Sequence, residues 1–199
     1  MSIFNLNIQN ENTGNKIAAG LERLSHVFKA LLWEKAKEYG LSPIQIQILL
    51  FTQYHSDEKN TVSYLAKEFS VTKPTISDAV KVLEQKKLVD KFSDATDSRS
   101  YTLRVTDEAK KIITEAETFA NPIAQIISGI SEADKDIIWS NISGLITKLN
   151  RQGIISVQRS CQNCIHLEQK NDNYFCQLLK QPLQTSDLRI DCPEFTEAS

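Results

Sequence analysis

Cys161, Cys164, Cys176 and Cys192 are all the cysteine this chain has, and they fall within residues 161–192. Their spacing is C-x2-C-x11-C-x15-C. A C-x-x-C brings two thiolates to one ion within a single turn. Two later cysteines then close the tetrahedron from elsewhere in the loop, which is the arithmetic of a four-cysteine zinc site. Four thiolates serve an iron–sulfur cluster as well, and redox-switching or unligated thiols are a third reading. His166 lies close enough in sequence to replace one cysteine, although four thiolates already suffice. The segment around the cysteines has few large apolar residues: Ile165, Leu167, Tyr174, Phe175, Leu178, Leu179 and Phe195. A module this small is marginal on its core alone, and a bound metal is a common substitute. Residues 153–199 are therefore expected to form a cysteine-rich metal-binding tail, with zinc as the first candidate and an iron–sulfur cluster as the alternative.

The compartment bears on that expectation. The N-terminus lacks a basic stretch followed by a continuous apolar one, so a secretory signal is not expected. No run of eighteen apolar residues appears, so no membrane association is expected. A cytoplasmic location follows as an expectation, and there thiols stay reduced, which favours ligation over disulfides.

The 199 residues allow one domain plus a small module. Hydrophobic residues at 41% and charged residues at 24% permit a packed core. The net charge of −2 predicts no polyanion partner by itself. Within residues 61–105, however, Lys67, Lys73, Lys81, Lys86, Lys87, Lys91, Arg99 and Arg104 outnumber the acidic groups.

The elements that would position such charges follow from periodicity. Ile17, Leu21, Leu24, Val27, Phe28, Leu31 and Leu32 make one apolar stripe, predicting a helix over 14–39 that stops at Gly40. Ser42-Pro43 opens a second helix, apolar on most sides and expected to be buried. Thr61 caps a short helix to about Phe69. Ser70-Val71 turns the chain, and Thr72 caps another helix to about Lys86, with Pro74 in its first turn. Ile76, Ala79, Val80 and Leu83 would point inward. Two helices joined by so short a turn suggest a helix-turn-helix. Leu88–Phe92 and Tyr101–Val105 flank a polar tip and predict a β-hairpin. A helix from Thr106 to about Gly129, kinked near Asn121-Pro122, and a last one over 132–151 complete the order. The first and last helices carry stripes longer than one small core requires. A second copy of the chain would cover them, so a homodimer is expected; the other arrangement has them cover each other.

LSPIQIQILLFTQ, TVSYLAKEFSVTKPTISDAVKVLEQKKLV and DATDSRSYTLRVTDEAKK together resemble the winged-helix core of the MarR family of transcriptional regulators. The resemblance spans residues 14–152. Its most specific part is Asp97-Ser98-Arg99 at the hairpin tip, followed by the strand and Thr106. It implies that Arg99 enters a minor groove and that Asp97 shapes the wing. Lys87 stands where the family usually has glycine before the first wing strand. The resemblance also implies a repressor relieved by a small-molecule effector, which nothing in the sequence identifies.

The expected fold is thus mainly α with a small β-wing: a winged helix-turn-helix with long dimerisation helices over residues 1–152, followed by the tail. Short polar side chains on the N-terminal half of a helix can reach base edges in a major groove. Thr72, Lys73, Thr75, Ser77 and Lys81 lie off the inward face of the 72–86 helix. With Arg99 they form the expected contact set for double-stranded DNA, bound as a pseudo-palindromic operator. Taken singly, each also fits an ordinary solvated helix face. Asp78 would repel phosphate and is left out. The sequence shows no acid/base pair, nucleophile constellation or glycine-rich phosphate loop, so enzymatic activity is not expected. His26 and His55 read as structural or surface residues. Two other function classes stay open here: an iron–sulfur redox or electron-transfer protein, and a winged-helix protein-interaction adaptor.

Overall fold

A computed structural model describes residues 2–93, 101–170 and 173–198. The wing tip, including Asp97 and Arg99, lies outside them. In chain order the elements are α1 (Leu6–Glu11), α2 (Thr13–Glu38), α3 (Pro43–Tyr54), α4 (Val62–Glu68), α5 (Lys73–Gln85), β1 (Val89–Ser93), β2 (Tyr101–Val105), α6 (Asp107–Ala116), α7 (Asn121–Ser128) and α8 (Glu132–Arg151). The tail adds β3 (Leu167–Lys170), β4 (Asn173–Cys176) and β5 (Gln181–Leu183). By contact the chain divides into two units. One comprises Met1–Asp57 and Asp78–Ala124; the other comprises Glu58–Ser77 and Gln125–Ser199. The tail thus shares a unit with α8, α4 and the first turn of α5.

In the first unit the core is built on α3. Its Ile46, Ile48 and Leu49 are buried, each such burial contributing roughly 1.5–3 kcal/mol. Pro43 sits in the first turn, where its missing N–H costs nothing, and the Ser42 N–H donates to Gln45 Oε1 at 2.8 Å. Gly40, at φ 57°, ends α2 in the left-handed region that glycine enters freely. Leu32 and Ala36 of α2, Ala109, Ile113 and Ala116 of α6, and Leu88, Val89 and Leu103 of the hairpin complete this core. The Tyr39 hydroxyl donates to Glu115 Oε2 at 2.7 Å, and this bond pushes its pKa up to about 12. α1 was not foreseen. Asn5 caps it, and Asn15 Nδ2 donates to the Ile8 carbonyl at 2.8 Å, binding it to α2 by polar contacts that leave no hydrophobic period to read.

The hairpin is antiparallel with Val89 opposite Val105 and Lys91 opposite Leu103. Thr106 fastens its base. The hydroxyl donates to the Lys87 carbonyl at 2.9 Å and accepts from the Ala109 N–H at 3.2 Å, so one side chain joins the hairpin entry to the cap of α6. Lys87 itself has φ 58°. A lysine therefore holds the left-handed position that ends α5, at a steric cost of about 1 kcal/mol. Lys87→Gly is expected to raise the unfolding free energy by about 0.5–1 kcal/mol after the greater chain entropy of glycine is deducted. The shift of the urea midpoint at unchanged slope measures it.

In the second unit Thr61 caps α4, accepting from the Tyr64 N–H at 3.2 Å, and Leu65 and Ala66 are buried. Ser70, at φ 52°, makes the turn, with the Val71 N–H donating to the Ala66 carbonyl at 3.0 Å. The tail is a three-stranded antiparallel sheet, β3-β4-β5, joined to α8 by polar contacts. Trp139 Nε1 donates to the Thr185 carbonyl at 3.0 Å, Thr147 to Gln162 Oε1 at 2.5 Å, and Asn163 Nδ2 to Asn150 Oδ1 at 2.9 Å. Accordingly the buried residues of α8 are Ser143 and Thr147, whereas Ile138, Ile142, Leu145 and Leu149 are exposed. On α2, in the first unit, Ile17, Leu21, Leu24, Val27 and Phe28 are likewise exposed.

Candidate DNA-binding face and cysteine cavity

α5 is amphipathic in the sense its sequence requires. Ile76, Ala79, Val80 and Leu83 are buried, while Lys73, Thr75, Ser77, Asp78 and Lys81 are exposed, as is Thr72 just before the helix. Thr72 is first of all a cap: its Oγ1 accepts from the Thr75 N–H at 3.3 Å and lies 2.8 Å from Thr75 Oγ1. That fixes the first turn and points its N–H groups outward, where the helix dipole favours an anion. No acidic residue occupies this turn. The five expected contact residues on and before α5 thus share one exposed surface. The sixth, Arg99, lies beyond the described residues.

The wing is braced by cations. Arg104 Nε donates to Asp57 Oδ2 at 3.0 Å, and its guanidinium lies 4.5 Å from the Phe92 ring centroid. The Asp57 hydrogen bond and charge raise the Arg104 pKa. Lys91 pairs with Glu84 at 2.6 Å, a link between β1 and the C-terminal half of α5, and sits 4.9 Å from the Tyr101 ring centroid. These exposed pairs contribute little stability individually. Their effect is to set where the two strands leave the body.

The four cysteines converge. All of them line one cavity of about 40 Å³, together with Leu167, Leu178, Leu179 and Leu183, and Arg189, His166 and Glu194 also border it. Burial pushes the Cys161 thiol up, the Arg189 N–H opposes this by donating to Sγ at 3.2 Å, and the charges of Cys192, Cys164 and Cys176 raise it further. A cation among the sulfurs would favour the thiolate set. Among the described residues, no three of His, Cys, Asp or Glu are gathered closely enough to hold a single ion.

A residue with no role in the sequence reading sits beside this cavity. Arg159 is 7% exposed. Its Nε and Nη2 donate to Asp191 at 2.6 and 2.7 Å, and its Nη1 donates to Glu68 Oε2 at 2.7 Å and to the Tyr64 hydroxyl at 2.9 Å. Burial opposes its charge, but the hydrogen bonds to Asp191, Glu68 and Tyr64 with the charge of Glu68 outweigh that, and the pKa is raised. Only its position two residues before a cysteine could have drawn notice in the sequence.

Comparison with known proteins bears on the fold. A model of the MarR family matches residues 39–100, from the end of α2 through the wing tip. The crystal structure of the Staphylococcus aureus MepR–DNA complex superposes with a TM-score of 0.59 at 23% identity, covering 66% of this chain and 97% of that one. S. aureus MepR in its DNA-binding conformation gives 0.59 at 23%, covering 67% and 98%. A MarR transcriptional regulator from Methanosarcina mazei Go1 gives 0.56 at 20%, covering 71% and 98%. At these identities the likeness is one of fold. Each match leaves about a third of this chain uncovered.

Proposed function

We propose that this protein is a homodimeric, sequence-specific DNA-binding transcriptional regulator. The observation that carries the reading is the exposed face of α5, which displays Thr72, Lys73, Thr75, Ser77 and Lys81 while the opposite face is buried. A helix of this kind fits a major groove, its short hydroxyl side chains at base edges and its lysines at phosphates. Arg99 at the wing tip supplies the minor-groove contact, drawn by the negative potential of a narrow groove. The exposed stripes of α2 and α8 are the surfaces a second copy covers, so that two α5 helices meet a pseudo-palindromic site. The S. aureus MepR–DNA complex has this fold, which supports the same reading. Repression is the expected direction of control, and a small-molecule effector is the expected signal. The tail's four thiolates are its metal ligands.

Selection from a random DNA pool tests this, and an inverted repeat is the expected product. Lys73→Ala and Lys81→Ala are each expected to weaken binding to every sequence alike and to lower the slope of log affinity against log salt by about one. Arg99→Ala is expected to weaken operator binding as well. A pool that yields no preferred sequence, or variants that bind as tightly as the parent, would refute the assignment and leave the adaptor reading.

A further inference from the structure

We propose that the tail is a brace on the helix-turn-helix, and that Arg159 is the positioning residue through which it sets the affinity of α5 for an operator. The effect on affinity rests on the DNA-binding reading above; the brace itself does not.

The turn between α4 and α5 is the part that needs holding. Ser70 stands at φ 52°, in the left-handed region where a Cβ is crowded. Such a conformation persists only where its surroundings over-determine it. Local bonds supply part of that. The Ser70 N–H donates to the Lys67 carbonyl at 3.2 Å and the Val71 N–H to the Ala66 carbonyl at 3.0 Å. The tail adds three bonds within residues 64–68. Ser156 Oγ donates to the same Lys67 carbonyl at 3.0 Å. Arg159 Nη1 donates to Glu68 Oε2 at 2.7 Å and to the Tyr64 hydroxyl at 2.9 Å. Tyr64 and Glu68 are four positions apart and so share one face of α4, where a single guanidinium reaches both. Glu68 is the last residue of α4. The cation thus sits at the carbonyl end of the helix, where the dipole favours one.

Arg159 is itself held. Asp191 accepts from its Nε and Nη2 at 2.6 and 2.7 Å. Bidentate pairing of this kind fixes the planar guanidinium in one orientation. The two residues also pair as a parallel β-bridge, and the Cys192 N–H donates to the Arg159 carbonyl at 3.0 Å. Trp139 and Thr147 tie α8 to the tail behind them. Asp191 therefore orients the guanidinium, and the guanidinium orients the end of α4. The turn and α5 as far as Ser77 belong to the same unit as the tail. A shift of the turn moves Thr72 and the first turn it caps. It moves with them the N–H groups and short side chains that must meet phosphates and base edges. Attraction between lysines and phosphate is long-ranged and tolerates such a shift. The brace accordingly acts on sequence-specific binding more than on non-specific binding.

The test uses the full-length protein on two duplexes, a selected operator and one of random sequence. Arg159→Met should weaken operator binding by roughly five- to thirtyfold, the range in which residues that touch no ligand alter its binding. Binding to the random duplex should change by less than about twofold. A role in folding alone lowers both affinities together, so a ratio of the two that stays at the parent value would overturn the proposal. Glu68→Gln probes the other end of the contact and stands alone should Arg159→Met not fold. It should move the ratio in the same direction, and an unmoved ratio rejects the proposal. The double variant should lose no more than Arg159→Met by itself, whereas additive losses would show that Arg159 does not act through Glu68. Should the parent protein bind no DNA, the regulator reading fails instead. Amide exchange over residues 64–72 then decides the brace alone: faster exchange in Glu68→Gln than in the parent supports it, and equal exchange rejects it.

Discussion

Leu145→Glu with Leu149→Glu is expected to give a monomer at micromolar concentration, with operator binding weakened by more than about a hundredfold. The exposed stripe of α8 is the reason. Leu145 and Leu149 are 42% and 37% exposed, in a row with Ile138 and Ile142, while the buried residues of that helix are Ser143 and Thr147. An aliphatic row of this length turned to water is unusual on a monomer and marks an association surface. Two carboxylates placed in it must be desolvated on pairing, which costs several kcal/mol per ion and opposes association. Within one chain neither residue belongs to the buried core, so the monomer should fold. A dimer binds two half-sites as one ligand, and a monomer loses that gain. Analytical ultracentrifugation reads the assembly state and a gel-shift titration reads the affinity. A variant that stays dimeric would place the interface elsewhere.

Arg159→Met is expected to lower the stability of the chain by about 2–3 kcal/mol. Removing one partner of a buried ion pair typically costs 3–5 kcal/mol, because the other charge is left uncompensated. Here the figure is discounted, since the Glu68 and Asp191 side chains are 20% and 38% exposed and water can take over part of the solvation. The methionine keeps the volume of the stem, so the loss reports charge and hydrogen bonds rather than a cavity. Adding Glu68→Gln to Arg159→Met should recover part of it, by removing a charge that no longer has a partner. Urea unfolding followed by circular dichroism measures both variants. If the double variant is less stable than Arg159→Met by the full cost of Glu68→Gln alone, Arg159 and Glu68 act independently and the ion pair is misread.

The winged core was legible because its physics is local. The stripe of Ile76, Ala79, Val80 and Leu83 fixes which side of α5 faces outward, and Thr61 and Thr106 announce helix starts through their caps. Asn121 and Pro122 marked the break that the structure resolves as the end of α6, a 3₁₀ turn over Glu117–Ala120 and then α7. Lys87 was recognisable as out of place, and its φ of 58° shows what it must bear there. The tail was legible only in its cysteines. β3, β4 and β5 are short and hold no fully buried residue, so no alternation of apolar and polar residues announced them. Nor could the sequence reveal that Arg159 reaches Glu68, 91 positions away. Long-range ion pairs carry no periodic signal. The grouping of residues 58–77 with the tail was hidden for the same reason.

Hydroxyl-radical footprinting of the full-length protein on a selected operator tests the central claim most directly. The account predicts two protected segments related by a dyad, their centres about one helical turn (10–10.5 base pairs) or a small multiple apart, as two copies of α5 in successive major grooves require. Protection that is uniform along the duplex and indifferent to sequence, or confined to one half-site at saturating protein, would contradict it.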